Sequence, residues 1–449
     1  MAGLACACEL VDAGLDVILL EARDRLGGRA HSFREKTTGA LIDNCQHVIL
    51  GCCEAAIGFL TRIGSIGLVE FSEEIEFVGE NGKRLRIGGS RLPPPLHLLP
   101  SVMRSDYLPA FDKLRLAGVM AGLAARAPGN APSAEDYLRS LGCSDALLSG
   151  LFEPILISAL NERAAEASAQ YARFVLTRSL LQGRGSYALG VPRAPLSQVV
   201  GEPAAAYLGE RGCEIRLGAK VRKLNFRAGS VASAMLDSGE DIQSDLWVSA
   251  TRPADLAAMG LALPAACELG WRPIVSAHLF FEKPHPDPSF DSAQDVLLGG
   301  EGVGAFKHAC VVGEPFGWVF NKSRGFEAGR GCVQAVASAA GPIAHAARSD
   351  LTYLAMRAAA KAAPGIEKLK LVNAVFVREM HATFSTAHRS PSARPPASTV
   401  VPNLFIAGDW TDTGWPATIE SAVRSGHAAA QGVVEQASRE SARLGKGAA

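Results

Sequence analysis

One residue pattern near the start of the chain is typical of a site that binds a dinucleotide. Gly3 opens an apolar segment with helical periodicity, and Glu21 ends the apolar strand predicted over 16–20. In a dinucleotide-binding βαβ unit, backbone amides at a helix N-terminus hold the pyrophosphate, and an acid about 20 residues further on binds the ribose hydroxyls. Gly3 therefore matches the last glycine of that fingerprint, and Glu21 matches the ribose-binding acid.

The residues that follow Glu21 supply further groups for a diphosphate. The sequence reads EARDRLGGR from Glu21 to Arg29. Gly27 and Gly28 allow the backbone to approach the phosphates closely, and Arg29 provides a fixed fork of donors for them. Arg23 lies in the same segment, and we count it among the candidate cofactor ligands.

A segment at the far end of the chain combines a strand, a turn-rich loop and a long helix. Residues 404–422 read LFIAGDWTDTGWPATIESA, in which a short apolar strand runs into Gly408 and Asp409. The long helix is predicted over 417–436. The first turn of a helix carries a positive partial charge, which stabilises an anionic group placed there. We therefore expect this segment to contribute to the same site.

Together, these segments resemble the FAD fingerprints of the amine oxidase and phytoene desaturase flavoprotein superfamily. The resemblance implies that the cofactor is FAD. It assigns Gly408 and Asp409 to the ribityl or phosphate region, the amides near Pro416, Thr418 and Ile419 to the flavin pyrimidine oxygen, and Val221, within LGAKV, to a backbone clamp over adenine.

Three motifs narrow the resemblance to the squalene-associated flavoproteins, the hydroxysqualene dehydroxylases of bacterial squalene and hopanoid synthesis. They are DNCQH at 43–47, the segment from FEPI to ALN at 152–161, and GDWTDTGWPATIESAVRSG at 408–426. The likeness spans nearly the whole chain. It implies that hydride passes from reduced flavin to the allylic carbon of hydroxysqualene as the hydroxyl departs, which gives squalene.

The resemblance suggests where catalytic groups lie but does not identify the acid that protonates the leaving hydroxyl. His47 is our first candidate because it lies in the motif expected beside the flavin, and Gln46 is a candidate positioning group. A structural role for both residues is an equal alternative. The sequence has Cys45 where the family usually has Gly, and we interpret Cys45 as a tolerated small residue.

The predicted fold is α/β, with a Rossmann-like FAD-binding domain of the amine oxidase and phytoene desaturase type and an inserted α+β substrate domain. We assign 1–60, 191–265 and 371–440 to the FAD-binding domain, 61–190 and 266–370 to the substrate domain, and 441–449 to a polar tail. The first strand and the start of the glycine loop are missing. We therefore expect Met1 to be an internal methionine and the functional protein to begin roughly ten or more residues upstream.

Composition argues against several classes of function. The 449 residues carry 45 basic and 45 acidic side chains, so nucleic acid is not an expected partner. The ten cysteines include no Cys-x-x-Cys pair and the ten histidines show no metal-ligand spacing, which predicts no metal site and a reducing cytoplasm. No apolar run reaches the roughly 18 residues of a membrane span, and the start lacks a signal-peptide pattern.

An apolar isoprenoid substrate does not diffuse freely through water. We therefore expect it to enter from a membrane or from an upstream enzyme of the squalene pathway. Arg104, Lys113 and Arg115 are interleaved with apolar segments, which suits a peripheral contact with the inner membrane face. Those segments are 93–99, 107–111 and 114–123. A buried helix pair explains the same segments equally well.

Two other functions remain open at this point. A carotenoid or phytoene desaturase would transfer hydride in the opposite direction, from a polyene to FAD. A truncated, non-catalytic lipid-binding relative, like the prenyl-binding GDP-dissociation inhibitors of this fold, would lack the flavin. The presence of Glu21, the turn over 27–29 and Asp409 argues against that alternative. We identify no aromatic cage motif of the kind common in amine oxidases.

Overall fold

The computed structural model of the protein describes residues 1–282, 306–323, 331–387 and 391–447. Within these ranges, two π-helical turns, Leu148–Phe152 and Ser197–Gly201, lead directly into α7 and α9. The α-helices are α1 Ala2–Asp12, α2 Glu54–Arg62, α3 Leu99–Arg104, α4 Ala110–Ala125, α5 Ala134–Ser140, α6 Asp145–Leu147, α7 Glu153–Leu160, α8 Ala169–Leu180, α9 Glu202–Gly209, α10 Pro253–Ala258, α11 Pro264–Cys267, α12 Arg348–Ala362 and α13 Ile419–Gly447.

The strands of the same ranges form one large sheet and several small ones. They are β1 Ile18–Glu21, β2 Ser32–Arg34, β3 Leu41–Asp43, β4 Ile49–Leu50, β5 Val69–Ser72, β6 Glu74–Val78, β7 Arg84–Gly88, β8 Leu189–Pro192, β9 Glu214–Leu217, β10 Val221–Arg227, β11 Ser230–Leu236, β12 Asp241–Ile242, β13 Trp247–Ser249, β14 Trp271–Phe281, β15 His308–Val311, β16 Trp318–Asn321, β17 Gly331–Ala337, β18 Leu371–Phe384 and β19 Leu404–Ile406.

Two parallel strand pairs form the part of the fold that the sequence predicts to bind the dinucleotide. Strand β1 pairs with β9, and β13 pairs with β19, both in parallel register. The small apolar residues of α1 pack against α13, where Gly426 permits close contact: a Cβ atom there would lie 2.4 Å from the Ala2 carbonyl oxygen. The predicted helix after Gly3, the strand ending at Glu21 and the predicted α/β class are confirmed.

The largest sheet of the described ranges has seven strands, in the order β18-β14-β17-β16-β15-β6-β7. One face is covered by α12, whose alanines pack against alternate residues of the strands. The opposite face carries His308, Cys310, Trp318, Phe320 and Val336, and we call it the inner face. Because side chains alternate along a strand, these residues share one side of the sheet.

The helical layer predicted from position 91 to about 182 is present as α3 to α8, and it buries a core of leucines against the sheet. The predicted hairpin at 80–82 joins β6 and β7, with Gly82 at φ +78°. Strand β18 pairs with β14, so the sheet crosses the domain boundary that the sequence predicts at residue 371. Residues 324–330, in a segment predicted to be strand-rich, and the last two residues of the tail lie outside the described ranges.

Candidate cofactor and active site

The candidate phosphate-binding residues from the two ends of the chain meet at the start of α1. Arg29 Nη2 lies 2.5 Å from Asp409 Oδ1, and the Asp409 side chain is buried. The amino group of Met1 is close enough to Arg29, Glu21 and Asp409 for all three to influence its pKa, which burial chiefly lowers to about 6. The first turn of α1, which contains Gly3, therefore converges with Arg29, and both attract an anion.

The glycine turn before Arg29 has a geometry that larger residues would not adopt. Gly27 has φ +104°, and a Cβ atom there would lie 2.2 Å from the Ala30 carbonyl oxygen. Gly28 has φ +63°, with open space around the position of a Cβ atom. This turn brings the backbone close to the position where Arg29 and Asp409 meet, as the fingerprint predicts.

The end of β1 and the segment before β10 are joined by backbone hydrogen bonds. The Ala219 N–H donates to the Glu21 carbonyl at 2.9 Å, and the Gly218 N–H donates to the Arg23 carbonyl at 2.8 Å. The Glu21 carboxylate accepts the Arg23 N–H at 2.9 Å. Val221 therefore begins β10 close to Glu21, the residue predicted to bind the ribose, and its role as an adenine clamp stays a prediction.

The N-terminus of α13 begins two residues later than the sequence predicts. Thr418 caps the helix, because its hydroxyl accepts the Ser421 N–H at 3.1 Å. Within the described ranges, the N–H groups of Ile419 and Glu420 have no protein acceptor. Pro416 has no N–H group, and the Thr418 N–H likewise has no acceptor in the described ranges, so the amides of Thr418, Ile419 and Glu420 are the candidates for the flavin pyrimidine oxygen.

Arg394, which the sequence analysis did not identify, holds the loop between β19 and α13. Its buried guanidinium donates to the carbonyls of Asp409 at 2.9 Å and Trp415 at 2.5 Å, to the Tyr171 hydroxyl at 2.8 Å, and to the Thr411 carbonyl. The Phe384 ring lies 4.9 Å from the guanidinium carbon. Arg394 therefore shapes the loop through its backbone. It lies in no recognisable motif, so no sequence signal pointed to it.

The DNCQH motif packs between the cofactor residues and the inner face of the sheet. Asn44 donates to the Arg29 carbonyl and to Glu379 Oε2, each at 3.2 Å. Cys45 is buried against Phe320 and Val336, and burial raises the pKa of its thiol to about 12. Cys45 is therefore a neutral small residue at physiological pH, consistent with its interpretation as a tolerated replacement for glycine.

The two candidate catalytic residues follow Cys45. His47 Nδ1 lies 3.1 Å from the Cys45 carbonyl, and burial lowers the pKa of the imidazole. Gln46 Nε2 donates to the His47 carbonyl at 2.9 Å. Gln46 Oε1 is buried without a protein partner in the described part of the chain. An unpaired buried oxygen is costly, so this atom is available to a bound ligand.

The family motif at 152–161 has a structural role in this molecule. Asn161 ends α7 in a left-handed conformation, and its amide donates to the Arg272 carbonyl and the Thr383 hydroxyl. The next residue, Glu162, is buried and accepts hydrogen bonds from Arg272 and Ser385. These bonds fix α7 to strands β14 and β18, so the motif orients the walls of the site.

The donor set fits an FAD molecule. The free amides of the first turn of α1 and the guanidinium of Arg29 suit the diphosphate, and the Glu21 carboxylate suits a ribose. The unpaired Gln46 Oε1 belongs to the DNCQH motif, which packs on the inner face of the sheet. These groups lie on elements that pack together in one region. The residues Gly3, Glu21, Gly27, Arg29 and Asp409 would hold the cofactor.

The chain matches the family model for flavin-containing amine oxidoreductases over residues 1–434. It belongs to that family. It is similar to the hydroxysqualene dehydroxylase of Rhodopseudomonas palustris. The two sequences are 33% identical, and the matched region covers 96% of this chain and 95% of the relative. The corresponding protein from Sinorhizobium fredii is 31% identical with the same coverage. The 15-cis-phytoene desaturase of Glycine max is 22% identical over 97% of this chain and 78% of the relative.

Solved structures share the fold of this flavin-containing amine oxidoreductase. An oxidoreductase from Methanosarcina mazei superposes with a TM-score of 0.70 at 15% identity, over 95% of this chain and 97% of the other. Cyclohexylamine oxidase from Brevibacterium oxydans superposes with a TM-score of 0.66 at 18% identity, over 97% of each chain. The predicted superfamily, FAD cofactor and oxidoreductase class are confirmed.

Proposed function

We propose that this flavoprotein reduces hydroxysqualene to squalene, removing the hydroxyl. The observation that carries the proposal is the 33% identity to a hydroxysqualene dehydroxylase over nearly the full length of both chains. The site supports it, because Cys45 packs on an apolar, aromatic surface formed by Phe320, Val336 and Trp318. Such a surface excludes water from a reaction in which positive charge develops on carbon.

The FAD bound by this family supplies the hydride chemistry of the reaction. The protein's own groups then have three tasks. Arg29 and Asp409 hold the cofactor in place, Phe320 keeps water away from the reacting carbon, and His47 protonates the departing hydroxyl. Burial makes protonated His47 a stronger acid than free imidazolium, because the charged form is poorly solvated. Gln46 Oε1 accepts a hydrogen bond from the substrate hydroxyl and orients it.

Product analysis tests this proposal. Protein loaded with FAD and reduced chemically is incubated without oxygen with hydroxysqualene, and the oxidised form is incubated separately with phytoene. We expect squalene from the first incubation and unchanged phytoene from the second. Desaturated phytoene together with intact hydroxysqualene would instead establish the desaturase alternative, which the 22% identity to phytoene desaturases supports.

We further propose that the protein takes its substrate from the inner face of the cytoplasmic membrane, a surface that an upstream enzyme of the squalene pathway can share. Within the described ranges, no helix is long and apolar enough to cross a bilayer. Phe111 and Leu114 at the start of α4 are 64% and 67% exposed, and Met103 at the end of α3 is 48% exposed. Lys113 and Arg115 flank them, and Arg115 lies over the Phe111 ring. Apolar side chains beside cations suit an anionic lipid surface.

Vesicle flotation tests the membrane contact. The double variant Phe111→Ser, Leu114→Ser should lose most of its binding to vesicles that contain anionic lipid. Val400→Ser is the matched control, because Val400 is 88% exposed in another part of the chain. Equal flotation of both variants would contradict the proposed contact without affecting the proposed reaction.

A further inference from the structure

A cavity of about 370 Å³ lies between α7 and the inner face of the sheet. Its walls include Pro154 and Ile157 from α7, and Cys310, Trp318 and Val336 from the sheet. The volume lies within the roughly 300–1,000 Å³ that is typical of small-molecule sites. None of these residues belongs to the cofactor fingerprint, so the cavity is distinct from the dinucleotide site.

The inner face connects this cavity with the DNCQH motif. Val336 and Trp318 line the cavity, and both also pack in the cluster around Cys45. The Trp318 ring stacks on Phe320, with centroids 5.7 Å apart and an angle of 17° between the planes. Phe320 and Cys45 are both buried in that cluster. One continuous apolar and aromatic wall therefore runs from the cavity to the residues beside the expected flavin.

The cavity is lined by both charged and apolar side chains. The charged ones are Glu80, Glu153, Arg163 and Glu314, of which Glu314 is paired with Arg357 and Lys361. Cys310 is almost fully buried, and burial raises the pKa of its thiol far above the usual range, so the thiol remains neutral. The part of the lining formed by Ile157, Cys310 and Val336 suits an apolar ligand. A volume of this size accommodates part of a long isoprenoid and not the whole of it.

Trp318 is fixed at the boundary between the cavity and the Cys45 cluster. Its Nε1–H donates to Ser158 Oγ of α7 at 2.5 Å, which ties the sheet to the helix. On the neighbouring strand, the His308 ring lies 6.3 Å from the Trp318 ring. The indole therefore has little freedom to rotate, and it sets the distance between a ligand in the cavity and the flavin side of the wall.

We propose that this cavity binds one isoprenoid arm of the substrate and that Trp318 is a specificity-determining residue at its inner end. The inference rests on the proposed function for the identity of the isoprenoid. The arm would lie against Ile157 and Cys310, while the hydroxyl-bearing carbon lies beyond Trp318, near Phe320 and Cys45. Chain length on the cavity side is then limited by the wall that α7 presents.

Binding of squalene, which has no hydroxyl to react, tests the cavity independently of catalysis. Squalene delivered from cyclodextrin should change the tryptophan fluorescence of the FAD-loaded protein, and Trp318→Phe should abolish most of that change. The phenylalanine preserves an aromatic ring beside Phe320. A fluorescence change that is the same in wild type and Trp318→Phe would show that squalene binds elsewhere.

Filling the cavity from α7 supplies a second test. Ile157→Trp should weaken squalene binding about tenfold, measured by equilibrium partition. Tyr353→Trp, at an exposed position on α12, is the matched control and should bind squalene as wild type does. Equal squalene affinity in Ile157→Trp and wild type would overturn the proposal, and it would leave the product analysis unaffected.

Discussion

Asp409 is the acidic residue whose surroundings best support a role in cofactor binding. Its buried carboxylate lies 2.5 Å from Arg29, and the loop carrying it is fixed by other bonds. We expect Asp409→Ala and Glu21→Ala each to lower the affinity for FAD by about 0.5–3 kcal/mol, because each removes a hydrogen-bond acceptor. Flavin absorbance after equilibrium dialysis measures the occupancy.

A neighbouring acid provides the control for these two variants. Asp24 is largely exposed, and among the described residues it pairs with Arg25 alone, in the same turn. Asp24→Ala should therefore keep the flavin content of the wild type. If Asp409→Ala and Glu21→Ala bind FAD as tightly as Asp24→Ala, the assignment of the cofactor ligands is wrong.

His47 gives the proposed reaction a characteristic pH dependence. Burial favours the neutral imidazole, so its pKa is lowered and little of it is protonated at pH 7. If protonated His47 is the acid, the single-turnover rate should rise about tenfold for each pH unit of acidification until the pKa is reached. The measurement is squalene formation by pre-reduced protein between pH 8 and pH 5.

Substitution of His47 tests whether this residue causes the rise of the single-turnover rate with acidification. His47→Gln should give a slower reaction with a flat profile, whereas His345→Gln, at an exposed position, should keep the slope. A slope retained in His47→Gln would assign the proton to another group.

The sequence predicted the residues that form compact motifs and did not predict those that act across the fold. Gly27, Gly28 and Arg29 are neighbours in the chain, so their spacing alone is informative. Arg394 lies in an irregular segment without a motif, its carbonyl acceptors Asp409 and Trp415 follow it by 15 and 21 positions, and Tyr171 precedes it by 223. Gln46 and His47 were identified by their motif, and their catalytic roles stay predictions.

At the scale of elements, the loop between β19 and α13 depends on Arg394. Replacement by methionine would leave the buried carbonyls of Thr411 and Trp415 without the Arg394 donor, and each such group costs about 1–3 kcal/mol. We expect Arg394→Met to lower the free energy of unfolding by at least about 2 kcal/mol and to reduce the rise in Tm that added FAD produces. Chemical denaturation and thermal melts with and without FAD measure both effects.

Two further variants distinguish loop positioning from general loss of stability. Arg394→Lys keeps the charge but lacks the planar fork, so it should recover only part of the FAD-dependent rise in Tm. Arg378→Met is the matched control, because Arg378 is exposed and donates to the Ala346 carbonyl far from the loop. A full FAD-dependent rise in Arg394→Met would show that the loop forms without this residue.

Elements with strong local signals were predicted well, and those that depend on distant partners were not. The helix α1, the strand β1 and the hairpin between β6 and β7 follow from periodicity and a turn glycine. The order of the seven strands does not, because β6 pairs with β15, more than two hundred residues later. Local sequence carries no information on such pairings.

At the scale of the whole molecule, the two predicted domains are bonded together at several points. Glu162 of the substrate domain accepts a hydrogen bond from Ser385 of the FAD-binding domain, and His278 of β14 donates through Nε2 to the Asp43 carbonyl at 3.1 Å. The division at 60, 190, 265 and 370 stays a prediction. The shared sheet and these buried bonds indicate that the parts unfold together.

The burial of His278 makes overall stability depend on pH. Burial lowers the pKa of His278 to about 4, with Lys322 adding to the effect and the Asp43 carboxylate opposing it. In the unfolded chain the pKa of a histidine is about 6.5. Between pH 6.5 and pH 4, therefore, His278 is protonated in the unfolded chain and neutral in the folded protein. The free energy of unfolding should therefore fall by about 1 kcal/mol for each pH unit as the pH drops from about 6.5 towards 4.

A comparison of variants separates the contribution of His278 to the pH dependence of stability from the contribution of the carboxylates that titrate in the same range. His278→Gln can still donate to the Asp43 carbonyl but cannot titrate, so its unfolding free energy should fall less steeply with acidification than that of the wild type. His345→Gln, which removes an exposed imidazole, should keep the wild-type slope. Urea denaturation at half-unit intervals between pH 4 and pH 7 gives the three slopes. Equal slopes of unfolding free energy against pH for wild type and His278→Gln would mean that His278 is protonated in the folded state as well. The buried contact between His278 and the DNCQH motif would then tolerate a charge.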